Sequence, residues 1–199
     1  MNTIGTINGF DSTLIQTDAV QRVDWVVGLD LSLTSTGWAT WGSHGFAGGH
    51  IPSTGHKDDS LQQRWTRLYD LSEQVAQIIP PNALVVIEAP SYGGMKYGKP
   101  HDRSGLWWMI VEMAYRNRHA VVEVPPSNLK QYVTGSGIAD KDAMIAAIVK
   151  RYPDANVTNN DHADAVGLAS MGARHLGCLA ESGLPVRNIA AMDKVRWLS

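Results

Sequence analysis

Hydrophobic and polar positions change period several times along the chain. Residues 1–22 are polar and show no sustained period, which predicts an extension without a packed face. The stretch "DWVVGLDL" is then almost continuously apolar, as a central strand covered on both faces would be. "TGWATWG" and "FAGGHI" read as two shorter strands, with a Gly/Ser/His stretch between them that suits a hairpin turn. From Asp59 to Ile79 the apolar residues Leu61, Trp65, Leu68, Leu71, Val75 and Ile78 recur at spacings of three and four, which predicts a helix with one buried stripe, stopped by Pro80 and Pro81. "ALVVIE" is a second buried strand and "APSYGGMKYGKPH" a loop. A helix is expected over 102–118, then a strand "AVVEV", a short helix from Ser127, and further helices over 140–151 and 161–176. Strands that alternate with helices after an opening hairpin predict an α/β fold with a mixed sheet and helices on both faces.

Composition narrows the reading. At 199 residues and 44% hydrophobic, the chain suits one core. Residues 23–177 would form that domain, with 1–22 as a flexible extension and 178–199 as a tail containing a short helix. The single cysteine, Cys178, excludes an internal disulfide, and no apolar run reaches the roughly 20 residues of a bilayer span, so a cytoplasmic protein with no membrane partner is expected. A net charge of -2 argues mildly against nucleic acid, yet eleven of the lysines and arginines fall between residues 64 and 151, and carboxylates that bind cations would no longer count as negative.

The chemistry lies where the apolar runs end. Both buried strands close on an acid, Asp30 and Glu88, and open α/β sheets place their sites at the C-terminal edge of such strands. A lone acid there ordinarily starts a turn; two on neighbouring strands would stand side by side. In "NNDHADAVGLA", Asp161 and Asp164 lie three apart and hence about 60° apart on one helix face. Asn160 or Asp161 could serve as the N-cap, whereas Asp164 shares the inward stripe of Ala165, Leu168 and Ala169. Four gathered carboxylates repel one another unless cations share them, and oxygen-only ligands select hard ions, Mg²⁺ or Mn²⁺. Two such ions are the arrangement used for phosphodiester hydrolysis.

With these residues assembled, the sequence resembles the RuvC-type Holliday-junction resolvases of the ribonuclease H-like superfamily, in a phage-type or divergent form. The resemblance rests on "GLDLSLTSTGWA", "VVIEAPSYG", "PPSNLKQYVTGSGIADKDAM" and "DHADAVGLA", in the family's order over about residues 25 to 176. It implies a ribonuclease H-like mixed five-stranded sheet, and Asp30, Glu88, Asp161 and Asp164 as ligands of two Mg²⁺ ions per site, with Mn²⁺ as a substitute. It also makes Lys130 and Lys141 the basic residues near the scissile phosphate. Leu31 and Ser32 replace the proline and glycine that often follow the first acid in the family, and Tyr92 lies one residue beyond the family's wedging aromatic. His162, beside Asp161, could add a ligand, since some family members use histidine in this neighbourhood, but adjacent helix positions diverge by about 100°, which favours a plain surface residue.

The resemblance implies an endonuclease that resolves four-way DNA junctions, each subunit of a homodimer cutting one strand. The helix over 102–118, apolar around most of its circumference, would form the dimer contact. Tyr92, Lys96, Tyr97, Lys99 and Arg103 join the two lysines as expected DNA contacts, with the tyrosines offering rings to unpaired bases. Three other readings stand beside this one: a ribonuclease H-like enzyme acting on RNA–DNA hybrid or flaps, an actin-like or sugar-kinase-type ATPase suggested by "DLSLTSTG", and a non-catalytic DNA-binding subunit.

Overall fold

A computed structural model describes residues 23–90, 99–178 and 180–198. Strand β1 (Trp25–Asp30) lies at the centre of a five-stranded sheet of order β3-β2-β1-β4-β5. β2 (Ser35–Gly42) and β3 (Gly45–Pro52) form the expected antiparallel hairpin, closed by Ser43 and His44 with Gly45 at a φ of 87°. β4 (Ala83–Glu88) and β5 (Ala120–Val124) run parallel to β1 on its other side. The sheet is therefore mixed, as the apolar pattern predicts.

Alternate residues of each central strand feed two cores. Val26, Leu84, Val86, Val122 and Val124 face one layer of helices, made by α3 (Pro126–Thr134), α4 (Lys141–Arg151) and α5 (Asn160–His175). Val27, Leu29, Val85 and Ile87 face the other, made by α1 (Leu61–Ile78) and α2 (Pro100–Arg116). Both faces of β1 and β4 are thus covered, which explains why their sequences alternate so little. No helix among the described residues is long and apolar enough to cross a membrane.

Three expectations change. The stripe of α1 is buried only in part: Leu71 and Val75 are covered and Leu68 half so, whereas Leu61 is 78% and Trp65 56% exposed, because the stripe meets sheet residues only from Leu68 onward. Helix α2 is two-sided rather than apolar all round. Leu106, Ile110, Val111 and Ala114 enter the core, and Trp108 stands 64% exposed. His162 is not a surface residue: it is 1% exposed, packed over Gly48 of β3, where the missing side chain leaves the imidazole room.

Residues 180–198 run back over the α3/α5 layer as a four-residue helix, α6 (Val186–Ile189), and a 3-10 turn, Met192–Lys194. Ala191 and Val195 join the core there, and Trp197 stacks on His175 with ring centroids 4.7 Å apart.

Candidate active site

Register decides the first pair. Leu29 of β1 lies opposite Ile87 of β4 in the parallel ladder, so the next residue of each strand, Asp30 and Glu88, end side by side at the C-terminal edge. The Nε1 of Trp107 on α2 donates to the Glu88 carbonyl at 3.1 Å and fastens that end of β4. On the other side Asp30 pairs with Gly37 of β2.

Helix α5 brings the second pair. Its axis crosses β1 so closely that a Cβ at Gly28 would run into the Ala165 carbonyl and the Ala169 amide, and one at Gly37 into the Asp161 carbonyl. The first turn of α5 therefore rests on the residue paired with Asp30. The N-cap is Asn159, whose side chain accepts from the His162 amide at 2.8 Å. Capping by Asn159 leaves the Asp161 and Asp164 carboxylates free of that duty.

The four acids act on one another electrostatically. Burial, then the charges of Glu88 and Asp161, push Asp30 well above the usual carboxylate range, and Asp30 and Glu88 share a side-chain hydrogen bond. Burial and then Asp164 raise Glu88 from 4.5 to about 7, against the pull of Lys130. Burial, Asp30 and Asp161 raise Asp164 from 3.8 to about 7, with Lys130 and Lys141 opposing. Both lysines named from sequence thus act on the cluster, Lys130 from α3 and Lys141 from the first position of α4. The Oδ1 of Asp164 and that of Asn160 are buried without a hydrogen-bond partner. Among the described residues no three Asp, Glu, His or Cys side chains already close as a metal cage. What the cluster offers is oxygen donors alone, an unpartnered buried carboxylate oxygen and mutual repulsion, a set that fits hard divalent cations.

The His162 imidazole lies over Gly48 of β3, with its Nε2 buried and without a hydrogen-bond partner. Its Nδ1 accepts weakly from the Thr158 amide at 3.4 Å, and burial followed by His50 lowers its pKa. Lys99 donates to the His56 carbonyl at 2.8 Å, which ties it within the chain, and Arg103 is exposed on α2. Tyr92, Lys96 and Tyr97 lie outside the described residues, as does the extension over 1–22.

Sequence reasoning missed the glycine contacts, Trp107 and an ion pair. Arg64 on α1 grips the buried Asp102 of α2 through its Nε at 2.9 Å and its Nη2, and holds that carboxyl below its usual range. A glycine inside an apolar strand pattern, as at Gly28, is the one signal that pointed to close backbone approach.

No family model matches the chain. Crossover junction endodeoxyribonuclease RuvC of Parvibaculum lavamentivorans is 28% identical over 172 residues, covering 83% of this chain and 91% of that protein. The RuvC of Rickettsia bellii is 28% identical over 153 residues, covering 72% and 93%. The chain is similar to RuvC over most of its length. The fold agrees: the Thermus thermophilus RuvC structure superposes with a TM-score of 0.58 at 15% identity, over 77% of this chain and 97% of that one. The same RuvC in complex with a Holliday junction substrate gives a TM-score of 0.59 at 13% identity, over 78% and 97%. The mixed five-stranded sheet with helices on both faces is thus a fold shared with that RuvC, as the resemblance implied.

Proposed function

We propose that this protein is a structure-selective endonuclease that resolves four-way DNA junctions by metal-dependent phosphodiester hydrolysis, a reading supported by relatives named crossover junction endodeoxyribonuclease. The observation that carries the reading is the ladder register that pairs Asp30 with Glu88 beneath the first turn of α5, with two lysines acting on the same cluster.

Asp30, Glu88, Asp161 and Asp164 would hold two Mg²⁺ ions, or Mn²⁺ in their place. When bound, such ions supply the Lewis acidity that phosphodiester hydrolysis needs. The chain's own residues do the rest. Rigid strands keep two of the carboxylates at fixed positions before substrate arrives, so little reorganisation remains to be done. Lys130 and Lys141 offset negative charge that grows on the phosphate as the bond breaks. Lys96, Lys99 and Arg103 add phosphate affinity, and Tyr92 and Tyr97 offer stacking faces to exposed bases. The nuclease domain is residues 23–177, with the segment after it packed into the same core through Ala191 and Val195.

A homodimer suits two symmetric cuts in a four-way substrate. The face for it is the exposed apolar row on α1 and α2: Leu61, Trp65 and Tyr69 on one helix, Trp108 and Tyr115 on the other. The Trp65 and Tyr69 rings already stack on each other at 5.4 Å. Single exposed apolar residues need no explanation, but a homodimer contact would cover these five.

The test is incubation of purified protein with labelled four-way junction, linear duplex, flap and RNA–DNA hybrid, with and without Mg²⁺. Symmetric nicks near the crossover, in Mg²⁺ only, are expected. Cleavage of the hybrid in preference to the junction would overturn the reading.

A further inference from the structure

The segment after α5 crosses back over the domain and grips one helix repeatedly. That helix is α3, the carrier of Lys130. The Nδ2 of Asn188, buried, donates to the Tyr132 carbonyl at 2.8 Å, and the Nδ2 of Asn128, also buried, donates to the Ala191 carbonyl at 2.9 Å. The Nε2 of Gln131 donates to the Arg187 carbonyl at 3.0 Å. The Tyr132 hydroxyl donates to Glu181 at 2.7 Å, and that carboxylate, whose side chain is 4% exposed, also receives Tyr152 at 2.5 Å and Arg174 at 3.0 and 2.5 Å. Beyond the helix end, the Arg187 guanidinium lies over Gly135, where a Cβ would come within 2.6 Å of its Nε.

A nine-residue helix has little stability of its own, so its position comes from what holds it. At about 100° per residue, Lys130 projects roughly 160° away from Asn128 and from Tyr132, two residues to either side. Asn128 and Tyr132 therefore place the tail on the face of α3 opposite the lysine, with Gln131 on the flank, while Leu129 and Val133 of α3 pack so closely on Gly167, one turn beyond Asp164 on α5, that a Cβ there would come within 2.8 and 2.9 Å of them, and the lysine's charge acts on Glu88 and Asp164. Carbonyls that a helix end normally leaves to water are taken instead by side chains: Tyr132 by Asn188, and Val133 by Arg151 of α4 at 2.7 Å.

We infer that the segment from Glu181 to Val195 is a positioning device for catalysis, with Asn188 as its central positioning residue, which sets the height of Lys130 over the acid cluster. This rests on the assignment of Lys130 to charge stabilisation in the proposed nuclease reaction. A fixed cation near a developing charge needs no reorganisation at the moment of reaction, and loosening its helix by a few tenths of an ångström gives that advantage away. Binding of the junction depends on many phosphate contacts and should hardly notice.

A double-mutant cycle on the full chain separates positioning from mere support. With synthetic four-way junction and Mg²⁺, Asn188→Ala should lower kcat about tenfold and leave KM within about twofold. In a Lys130→Ala background the same change should cost less than about twofold, since the group that it positions is gone. Gln131→Ala removes an exposed bond and leaves no buried group bare; it should lower kcat about threefold and be silent in the Lys130→Ala background by the same logic, which keeps the test open if Asn188→Ala does not fold. Equal losses in both backgrounds would overturn the inference while leaving the nuclease reading in place. Unimpaired cleavage by Lys130→Ala would overturn the assignment of the lysine and the positioning role with it.

Discussion

The two faces of the sheet are covered in different ways. On one, α5 lies so near β1 that glycines at 28 and 37 admit its backbone, and the helix is buried from His162 to Ala173 apart from Asp164. On the other, α1 and α2 cover the sheet with larger side chains and leave Leu61, Trp65, Tyr69, Trp108 and Tyr115 outside. The first packing has no slack, and it is the one that delivers two of the four acids. The second has apolar surface to spare, and it carries none of them. Precision of a site and readiness for a partner are thus assigned to opposite layers.

The sharpest way to break that contrast is to fill the close approach. Gly28→Val should destabilise the fold most, lowering the melting temperature by about 10 °C or preventing folding, because the obstacle is the backbone of α5 and not a side chain that can turn aside. Trp65→Ser, on the opposite layer, should shift it by less than about 2 °C. Comparable shifts in thermal circular dichroism would refute the contrast.

Next in size is the effect of charge at the site. Asp30→Asn or Asp164→Asn should reduce junction cleavage more than a hundredfold with junction binding unchanged or tighter, as metal ligation fails and repulsion of phosphate falls. Gel-shift and single-turnover assays on one preparation separate the two readouts; residual cutting by Asp30→Asn above about 1% would remove that residue from the ligand set.

On α2, two positions about 160° apart around the helix should divide two outcomes. Trp108→Glu should give folded monomer, because that ring is exposed, whereas Ile110→Glu should unfold the protein, because that side chain is fully buried. Sedimentation of the wild type as a monomer at micromolar concentration would remove the role given to the α1/α2 row.

The smallest effect is one of pH. Glu88 and Asp164 titrate near 7 in the folded, metal-free chain and near their ordinary 4.5 and 3.8 when unfolded, so the folded state holds more protons between those values. These groups should therefore lower the stability of the metal-free protein as pH rises, most clearly from about 6.5 to about 7.5. Asp102, held low by Arg64, titrates below this window, whereas His119, His162 and His175, lowered by burial, oppose the trend below about their ordinary 6.5 and not above it. Mg²⁺ should raise the melting temperature at pH 8 by more than at pH 5, where it must displace protons. A metal-free melting temperature that rises over that range would contradict the account.

Much of this was legible before any coordinates. Period and length located every strand and the long helices, and the acids at the ends of "VVGLD" and "VVIE" were visible because charge is rare at the end of an apolar run. What periodicity does not carry is distance between layers. It gave α1 one buried stripe, although the stripe runs past the sheet at Leu61 and Trp65, and it put His162 outside, although Gly48 makes space for it. The Asn159 cap was hidden for a different reason: three candidate capping residues stand in a row in "NND", and only the helix start tells them apart.

The close fit of α5 on β1 also has a consequence in time. Asp30 and Asp161 are separated by about 130 residues of chain, which a ribosome adds in roughly 7 to 26 seconds. During that interval the nascent protein gains β4 and Glu88 beside Asp30 but has no helix to complete the site. A chain that stops short of Asn160, through truncation or premature release, has no means of gathering the remaining acids, so DNA near an unfinished molecule is protected by the order in which the molecule is made.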